Sequence, residues 1–391
     1  MRTNTMPGLP DSVKSRFITV NDLNMHILEA YPPNADPSSK PPLLVLLHGF
    51  PELAYSWRKV IEPLTKAGYA VVAPDQRGYG QTREQTRKEG KITYEEDLAP
   101  FRMLNLATDI LALVYALGYT SVEAVVGHDF GSPVAAHCAL IRPDVFKSVV
   151  LMSAPYTGPP ALSSAFDDPN AKSLAQQANE WLARLDPPRK HYTMYFSTPE
   201  ADKELRNPPE GLHVFLRTYY RVKSADWAPN QSAGPLAALS PEALSVLPHY
   251  YIMPLTQSMP ESIASYAATA SQMVKNTWLP DAELAFYVDQ FAQTGFQGGL
   301  NWYRCQTDGL RWSKDLRVFA GRKIEVPAMF LAGKQDWGVF QIPGAVDKMK
   351  AVCTRIGEEG FVLVDGAGHW VQQEKPEEVV RNLLSFLEKN K

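Results

Sequence analysis

The stretch AVVGHDFGSPVAAHCAL, residues 124–140, decides the fold. Its apolar start predicts a buried strand, and residues 133–140 predict a helix. Gly127 and Gly131 bracket the junction, so that Asp129 stands on a sharp turn between the two elements. Such a turn is typical of a nucleophile elbow, which holds a reactive side chain out at the edge of a sheet. A carboxylate is already ionised at neutral pH, so Asp129 could attack without first losing a proton.

Taken alone, a glycine-bracketed Asp after a strand is equally compatible with a structural turn, and the surrounding sequence has to decide. Short apolar runs recur at 43–47, 70–73, 149–152, 328–332 and 361–364. Each run predicts a strand buried on both faces. Helical periodicity follows between them, most clearly over residues 104–117. This alternation predicts an α/β fold with a mostly parallel central sheet flanked by helices.

The alternation stops after Met152 and resumes near Ala328. The intervening segment is punctuated by prolines and rich in Tyr, Trp and Met. We therefore predict a core formed by residues 1–155 and 315–391, and an inserted helical cap at 156–314 over the carboxyl edge of the sheet. Within the cap, the stretch near 229–260 is predicted to be loop-rich.

The loop HGFP, residues 48–51, directly follows the predicted strand 43–47. In a fold with a nucleophile elbow this loop supplies one amide of an oxyanion hole, and the residue after the nucleophile supplies the other. We expect the amides of Phe50 and Phe130 in these roles. His48 is interpreted as a packed turn histidine that takes no part in proton transfer.

The acid and the base are expected after the nucleophile, in that order. Asp336 follows the predicted strand 328–332, and His369 follows the strand 361–364. Asp365 competes for the role of acid, but it lies only four residues before His369 and is better explained as a turn residue. The sequence therefore predicts that His369 is the base and that Asp336 orients it.

Composition limits the class of partner. The 39 basic and 42 acidic residues give a net charge of -3 and form no basic stripe, so a nucleic-acid partner is not expected. The three cysteines form no CxxC pair, which predicts neither a metal site nor a disulfide framework and favours the cytoplasm. No apolar run reaches the ~18 residues of a membrane span. No metal or organic cofactor is expected, and the oligomeric state is left open between monomer and homodimer.

Four segments together resemble the soluble epoxide hydrolases, which are the Asp-nucleophile branch of the α/β-hydrolase fold. They are HGFPE (48–52), PDQRGYG (74–80), GHDFG (127–131) and GAGHWVQQEKPEEV (366–379). The resemblance covers roughly residues 15–155 and 285–391. It implies an α/β-hydrolase fold with an inserted cap, or lid, and conversion of a lipophilic epoxide to a vicinal diol through a covalent Asp129 ester, without a cofactor.

Two cap segments resemble those that carry the ring-opening tyrosines of that family. GGLNWYR (298–304) implies such a role for Tyr303, and YTMYF (192–196) implies one for Tyr192, with Tyr195 left open as the alternative. A protonated phenol can donate to the epoxide oxygen and stabilise the alkoxide that forms on ring opening. The predicted apolar lining consists of Phe50, Phe130, Trp181, Phe196, Trp337 and Trp370.

Two other functions remain open from the sequence. An Asp-nucleophile dehalogenase would use the same elbow and histidine, but it requires nitrogen donors around the departing halide, and Phe130 stands where a tryptophan is common. A non-catalytic α/β-hydrolase relative that binds a lipophilic ligand is the second alternative, since a fold does not fix a function.

Overall fold

The computed structural model describes residues 6–33, 40–87, 90–163, 168 and 170–391. Within these residues a nine-stranded sheet has the order β1-β2-β4-β3-β6-β7-β10-β11, with β5 paired to β2. A second, two-stranded sheet joins β8 and β9. The strands are β1 (Lys14–Val20), β2 (Leu23–Ala30), β3 (Leu43–Leu47), β4 (Ala70–Pro74), β5 (Arg83–Glu84), β6 (Ala124–His128), β7 (Val149–Met152), β8 (Arg189–His191), β9 (Ile252–Pro254), β10 (Ala328–Gly333) and β11 (Phe361–Val364).

The sheet is parallel from β4 to β11 in its spatial order, while β1, β2 and β5 are antiparallel additions at one edge. The six predicted strands are present, and β4, β6 and β10 extend by one or two residues beyond the predicted ends. Side chains of β3 alternate between two apolar clusters, with Val45 and Leu47 in one and Leu44 and Leu46 in the other. Both faces of the sheet are therefore covered, which confirms the predicted fold class.

Helices surround this sheet and fill the insertion between β7 and β10. They are α1 (Arg58–Lys66), α2 (Met103–Ala116), α3 (Gly131–Ile141), α4 (Leu174–Leu182), α5 (Tyr192–Phe196), α6 (Ala201–Arg206), α7 (Leu212–Val222), α8 (Pro241–Leu244), α9 (Met259–Ile263), α10 (Ala270–Lys275), α11 (Asp281–Thr294), α12 (Gln297–Thr307), α13 (Gly309–Trp312), α14 (Ala345–Val352), α15 (Val371–Glu374) and α16 (Pro376–Lys389). None of the helices in the described ranges is long and apolar enough to cross a membrane.

The insertion is mainly helical, from α4 to α13, and it also contains the β8–β9 pair. Between residues 229 and 260 the chain has the end of a 3-10 helix (Ala228–Ser232), the four-residue α8, the short β9 and the first turn of α9, joined by irregular segments. The bounds of core and cap at 155/156 and 314/315 remain predictions.

Strand register positions the site. Leu47 at the end of β3 pairs with Gly127 in β6, and Gly333 at the end of β10 pairs with Val364 in β11. Because the carboxyl ends of parallel strands meet at one edge of a sheet, the loops that follow these strands converge over the same point.

Candidate active site

Asp129 occupies a strained turn between β6 and α3. Its φ angle is +50°, in the left-handed region that side chains other than glycine rarely adopt. The flanking glycines are required by close packing: a Cβ atom on Gly127 would lie 2.0 Å from the carbonyl oxygen of Gly131, and one on Gly131 would lie 2.3 Å from that of Leu47. The turn therefore has the geometry of a nucleophile elbow and projects the carboxylate from the sheet edge.

The three residues predicted as nucleophile, acid and base lie together; we call Asp129, Asp336 and His369 the triad. Nδ1 of His369 lies 3.0 and 3.1 Å from the two carboxylate oxygens of Asp336, and its Nε2 lies 3.3 Å from Oδ2 of Asp129. Because carboxylates accept, Nδ1 carries the proton toward Asp336. Among the described residues Nε2 has no hydrogen-bond partner, so this nitrogen faces the nucleophile with its lone pair available when neutral.

The charges of the triad depend on one another. Burial by itself raises the pKa of Asp129, but His369 and Lys223 outweigh it and hold the pKa well below its usual range. The pKa of Asp336 is also lowered, because His369 and the amide of Gly338 outweigh burial. The pKa of His369 is raised, since the two carboxylates outweigh burial and the nearby Lys223 cation. Both aspartates are therefore ionised at neutral pH.

The amide of Phe50 donates a hydrogen bond of 2.9 Å to Oδ1 of Asp129. Gly49 permits this approach, because a Cβ atom there would lie 2.4 Å from the same oxygen. One oxygen of the nucleophile thus sits on a backbone donor, while the other faces His369. The second predicted donor, the amide of Phe130, comes directly before α3, and its role remains a prediction.

Asp365, the competitor for the role of acid, and His48 lie outside the triad. The side chain of Asp365 is 81% exposed and forms an ion pair of 2.8 Å with Lys334. His48 is fully buried: its Nε2 accepts from the amide of Gln76, and its Nδ1 donates to the carbonyl of Gly49. Burial lowers the pKa of His48. This arrangement supports Asp336 as the acid and a structural role for His48.

Tyr192 and Tyr303 face the nucleophile from the cap. Both are buried, and their rings lie 5.8 Å apart between centroids. Burial and the nearby Asp129 carboxylate raise the pKa of each phenol, so both stay protonated. The hydroxyl of Tyr195 instead donates to Glu204 at 2.8 Å. Its donor is already used away from the triad, and the geometry favours Tyr192 over Tyr195.

Tyr303 reaches the site because α12 packs unusually close to the core. A Cβ atom on Gly298 would lie 1.9 Å from the carbonyl oxygen of Gly78, and one on Gly299 would lie 2.8 Å from the ring of Phe50. Nε1 of Trp302 then donates to the carbonyl of Arg77 at 3.1 Å. The two glycines in GGLNWYR therefore let the helix bring its tyrosine over the elbow.

Only part of the predicted lining surrounds the tyrosines. The rings of Phe50, Phe130 and Phe196 lie 5.3, 4.6 and 5.0 Å from that of Tyr303. They supply an apolar wall beside the nucleophile.

The three predicted tryptophans are placed differently. Trp337 is buried directly after Asp336 in the chain, and Trp370 is fully buried with its indole donating to the carbonyl of Tyr220 at 2.7 Å. Trp181 lines a surface pocket of about 360 Å³ with Arg184 and Leu239, and none of the described residues lining that pocket belongs to the triad. A substrate contact by Trp181 remains a prediction without support from its position.

Sequence reasoning missed a buried hydrogen-bonded pair, His128 and Glu52, beneath the triad. Nδ1 of His128 lies 2.6 Å from Glu52, and its Nε2 lies 2.7 Å from the carbonyl oxygen of His369. Burial raises the pKa of Glu52, but the neighbouring His128 outweighs it and the pKa lies below its usual value. Glu52 also accepts from the side chains of Gln372 and Gln373. The pair holds the backbone of the loop that carries the base, and Glu52 stands in the quoted HGFPE segment without having been assigned a role.

A cap segment was missed as well. The carbonyl of Lys223 accepts the backbone N–H of His369 at 2.8 Å. The carboxylate of Glu374 accepts from the amides of Ala225, Gly368 and Trp370. The backbone around His369 is therefore held partly by Lys223 and Ala225 of the predicted cap, through contacts between residues distant in the chain. Within the part of the chain that the structure describes, no cluster of His, Cys, Asp and Glu could hold a metal ion.

Comparison with known proteins agrees with this geometry. A family model described as alpha/beta hydrolase fold matches residues 42–376. Epoxide hydrolase A of Mycobacterium tuberculosis is 33% identical over 95% of this chain and 96% of its own length.

Two solved structures are similar over nearly the whole chain. An epoxide hydrolase from an endophytic Streptomyces has a TM-score of 0.73 and 28% identity, covering 97% of this chain and 96% of its own. Epoxide hydrolase I of potato has a TM-score of 0.70 and 28% identity, covering 96% and 99%. The chain belongs to the α/β-hydrolase fold family and, within it, to the epoxide hydrolases. The resemblance drawn from the sequence is confirmed.

Proposed function

We propose that this protein hydrolyses lipophilic epoxides to vicinal diols through a covalent ester of Asp129. The single observation that carries the proposal is the pair of buried, protonated phenols, Tyr192 and Tyr303, facing an ionised carboxylate on a nucleophile elbow. Epoxide opening needs both parts, because a carbon–oxygen bond forms at one atom while negative charge develops on another.

In the first step, Oδ2 of Asp129 attacks a ring carbon of the epoxide. The carbon–oxygen bond of the ring breaks, and its electron pair passes to the oxygen, which is stabilised and protonated by Tyr192 or Tyr303. Oδ1 stays on the amide of Phe50, where it becomes the carbonyl oxygen of the ester.

In the second step, His369 takes a proton from water, and the hydroxide attacks Cγ of the Asp129 ester. The negative charge moves to Oδ1, where the amide of Phe50 and, in the proposal, that of Phe130 stabilise it. The bond from Cγ to Oδ2 then breaks, and the alcohol leaves with Oδ2 and the proton held by His369. The remaining proton of the water is released from the carboxyl group and restores the tyrosine.

Phe50, Phe130 and Phe196 surround Tyr303 with apolar surface, which supports a lipophilic substrate. The three cysteines, Cys138, Cys305 and Cys353, are free, which supports a reducing compartment such as the cytoplasm.

Turnover of styrene oxide tests the reaction class. The wild-type protein should convert it to the diol, measured by chromatography, and Asp129→Ala should form none. Tyr195→Phe serves as the matched control because its hydroxyl is bound to Glu204. Halide release from a haloalkane in the absence of diol would instead favour the dehalogenase, and ligand binding without either product would favour the non-catalytic alternative.

A further inference from the structure

Lys223 is a buried lysine whose ammonium group lies among three aromatic rings. Nζ is 5.5 Å from the ring centroid of Tyr219, 5.3 Å from that of Tyr251 and 5.2 Å from that of Trp370. We call these three rings the cage. The residue is 4% exposed, and burial lowers the pKa of its amine. Ring faces attract a cation, so the cage offsets part of the cost of burying the charge.

The cage places this cation beside the base. Trp370 follows His369 in the chain, and the two rings lie 4.6 Å apart. Tyr251 packs at 5.1 Å against Tyr192, the phenol that faces the nucleophile. The carbonyl of Lys223 itself accepts the N–H of His369 at 2.8 Å. One backbone hydrogen bond and two rings of the cage thus place the lysine beside His369 and Tyr192.

The surrounding charges are predominantly acidic. The titratable groups that interact with Lys223 or His369 are Asp129, Asp336, Glu52, His128, Tyr219 and Tyr251. Tyr192 and Tyr303 interact with Asp129, and Glu374, next to Asp226, accepts from the amide of Trp370. The carboxylates of Asp129, Asp336 and Glu52 favour the charged form of Lys223. Burial and the Lys223 cation both lower the pKa of His369, whereas Asp336 and Asp129 raise it.

The balance of charges around His369 changes during the reaction. In the free enzyme two carboxylates favour the charged form of His369. Esterification neutralises Asp129 and leaves its negative charge on the phenol that protonated the departing oxygen. Among the described residues, Asp336 is then the only anion in direct contact with the imidazole. The Lys223 ammonium then loses the support of Asp129 but keeps that of Asp336 and Glu52. Its repulsion opposes the proton on His369 at the stage when a neutral imidazole is required.

We propose that Lys223 is a positioning residue for ester hydrolysis, whose ammonium repels the proton from His369 once Asp129 is esterified. The inference rests on the proposed function, because it requires the Asp129 ester. The carboxylates of Asp336 and Glu52 and the faces of the cage favour the charged form of Lys223, which this role requires. The cap thus supplies a fixed charge to a base that belongs to the core.

The pH dependence of ester hydrolysis tests this role. Rates of ester formation and breakdown would be measured separately by stopped flow in the wild type, Lys223→Met and Lys223→Arg. The rate of ester breakdown falls at low pH, where His369 becomes protonated; we call this part of the pH–rate profile the acidic limb. Without the cation, the acidic limb should move about one unit to higher pH, so that breakdown slows about tenfold below it. Lys223→Arg keeps the charge and should restore the wild-type limb.

A merely structural lysine would lower rates at every pH without moving the limb. An unchanged limb in Lys223→Met, or an equal displacement in Lys223→Arg, would overturn the proposal. If the Lys223→Met variant does not fold, Lys223→Gln takes its place in the same experiment. Absence of any ester in the wild type would instead reject the proposed function.

A second measurement does not require turnover. Asp129→Asn, with its mass checked for deamidation, reproduces the neutral charge of the ester. Titration of the His369 imidazole by NMR should give a lower pKa in Asp129→Asn than in the wild type, and a higher one again in Asp129→Asn/Lys223→Met. Equal values in the single and double variants would contradict the proposal even if the protein turns out to act on another substrate.

Discussion

The rings of Tyr192 and Tyr303 lie 5.8 Å apart between centroids, although Tyr192 begins α5 and Tyr303 belongs to α12. Both lie close enough to Asp129 for its carboxylate to raise the pKa of each phenol. If the two phenols share the charge on the departing oxygen, Tyr303→Phe should slow ester formation by about tenfold to hundredfold. This is the effect expected from the loss of one hydrogen bond to a charged group. Single-turnover rates with styrene oxide measure this effect.

The double variant Tyr192→Phe/Tyr303→Phe should lose more than the sum of the two single effects, because no donor then remains for the alkoxide. Tyr195→Phe is the control and should retain the wild-type rate. Unchanged ester formation in Tyr303→Phe would remove that residue from ring opening.

Asp336→Asn should slow breakdown of the ester more than its formation. The amide cannot stabilise the imidazolium that forms when His369 takes a proton from water, and it no longer fixes the tautomer with Nδ1 protonated. We expect a loss on the order of 10²-fold to 10⁴-fold in ester breakdown, with ester accumulating on the enzyme. Mass spectrometry of the quenched protein detects that ester.

Asp365→Asn is the matched control for this change, because its carboxylate is 81% exposed and paired with Lys334. It should hydrolyse the ester at the wild-type rate. Ester accumulation in Asp365→Asn, rather than in Asp336→Asn, would exchange the two assignments.

Gly49→Ala should impair both stability and ester formation. Its Cβ atom would lie 2.3 Å from Cβ and 2.4 Å from Oδ1 of Asp129, so the nucleophile or the loop must move. Overpacking of this kind costs about 1–3 kcal/mol in the free energy of unfolding. Thermal unfolding and single-turnover rates should both change, whereas Gly357→Ala, which meets nothing within 4 Å, should leave them unaltered.

Glu374 should make stability depend on pH. Burial raises the pKa of its carboxyl from 4.5 to about 7, although three backbone amides donate to it. The folded protein therefore binds this proton more tightly than the unfolded chain, and the free energy of unfolding should fall as pH rises from 4.5 to about 7. The total change is on the order of 3 kcal/mol.

Glu374→Gln should remove this slope, as measured by urea unfolding across the same pH range. Glu358→Gln, at an exposed position, should retain it. A wild-type slope that persists in Glu374→Gln would assign the pH dependence to other groups.

Elements governed by local pattern could be predicted from the sequence. The strands that meet at the site are short apolar runs, and the elbow is encoded by two glycines around Asp129. The hairpin of β1 and β2 was missed because β1, at a sheet edge, alternates exposed and partly buried residues and has no continuous apolar run. Asn21 lies in the turn between β1 and β2, where its φ angle is +51°. An asparagine is common in such turns and was the sequence signal that could have indicated the hairpin.

The three triad positions could be predicted because each follows a strand of the central sheet in a fixed order. The supports of the base were not, because they depend on contacts across the chain: His128 with Glu52, and the carbonyl of Lys223 with the amide of His369. Nothing in the pattern around residue 223 indicates which residue its side chain or carbonyl meets. Such contacts follow from how the cap packs on the core, which periodicity and motifs do not encode.

The fate of one oxygen atom tests the central claim most directly. In a single turnover of styrene oxide in heavy-oxygen water, with enzyme in excess, attack of water on Cγ of the ester places the label in the Asp129 carboxylate. The diol leaves with the protein's own oxygen and carries no label. Label in the Asp129 peptide and unlabelled diol, both determined by mass spectrometry, are the predicted result; labelled diol with an unlabelled Asp129 would show direct attack of water on the epoxide and contradict the covalent mechanism.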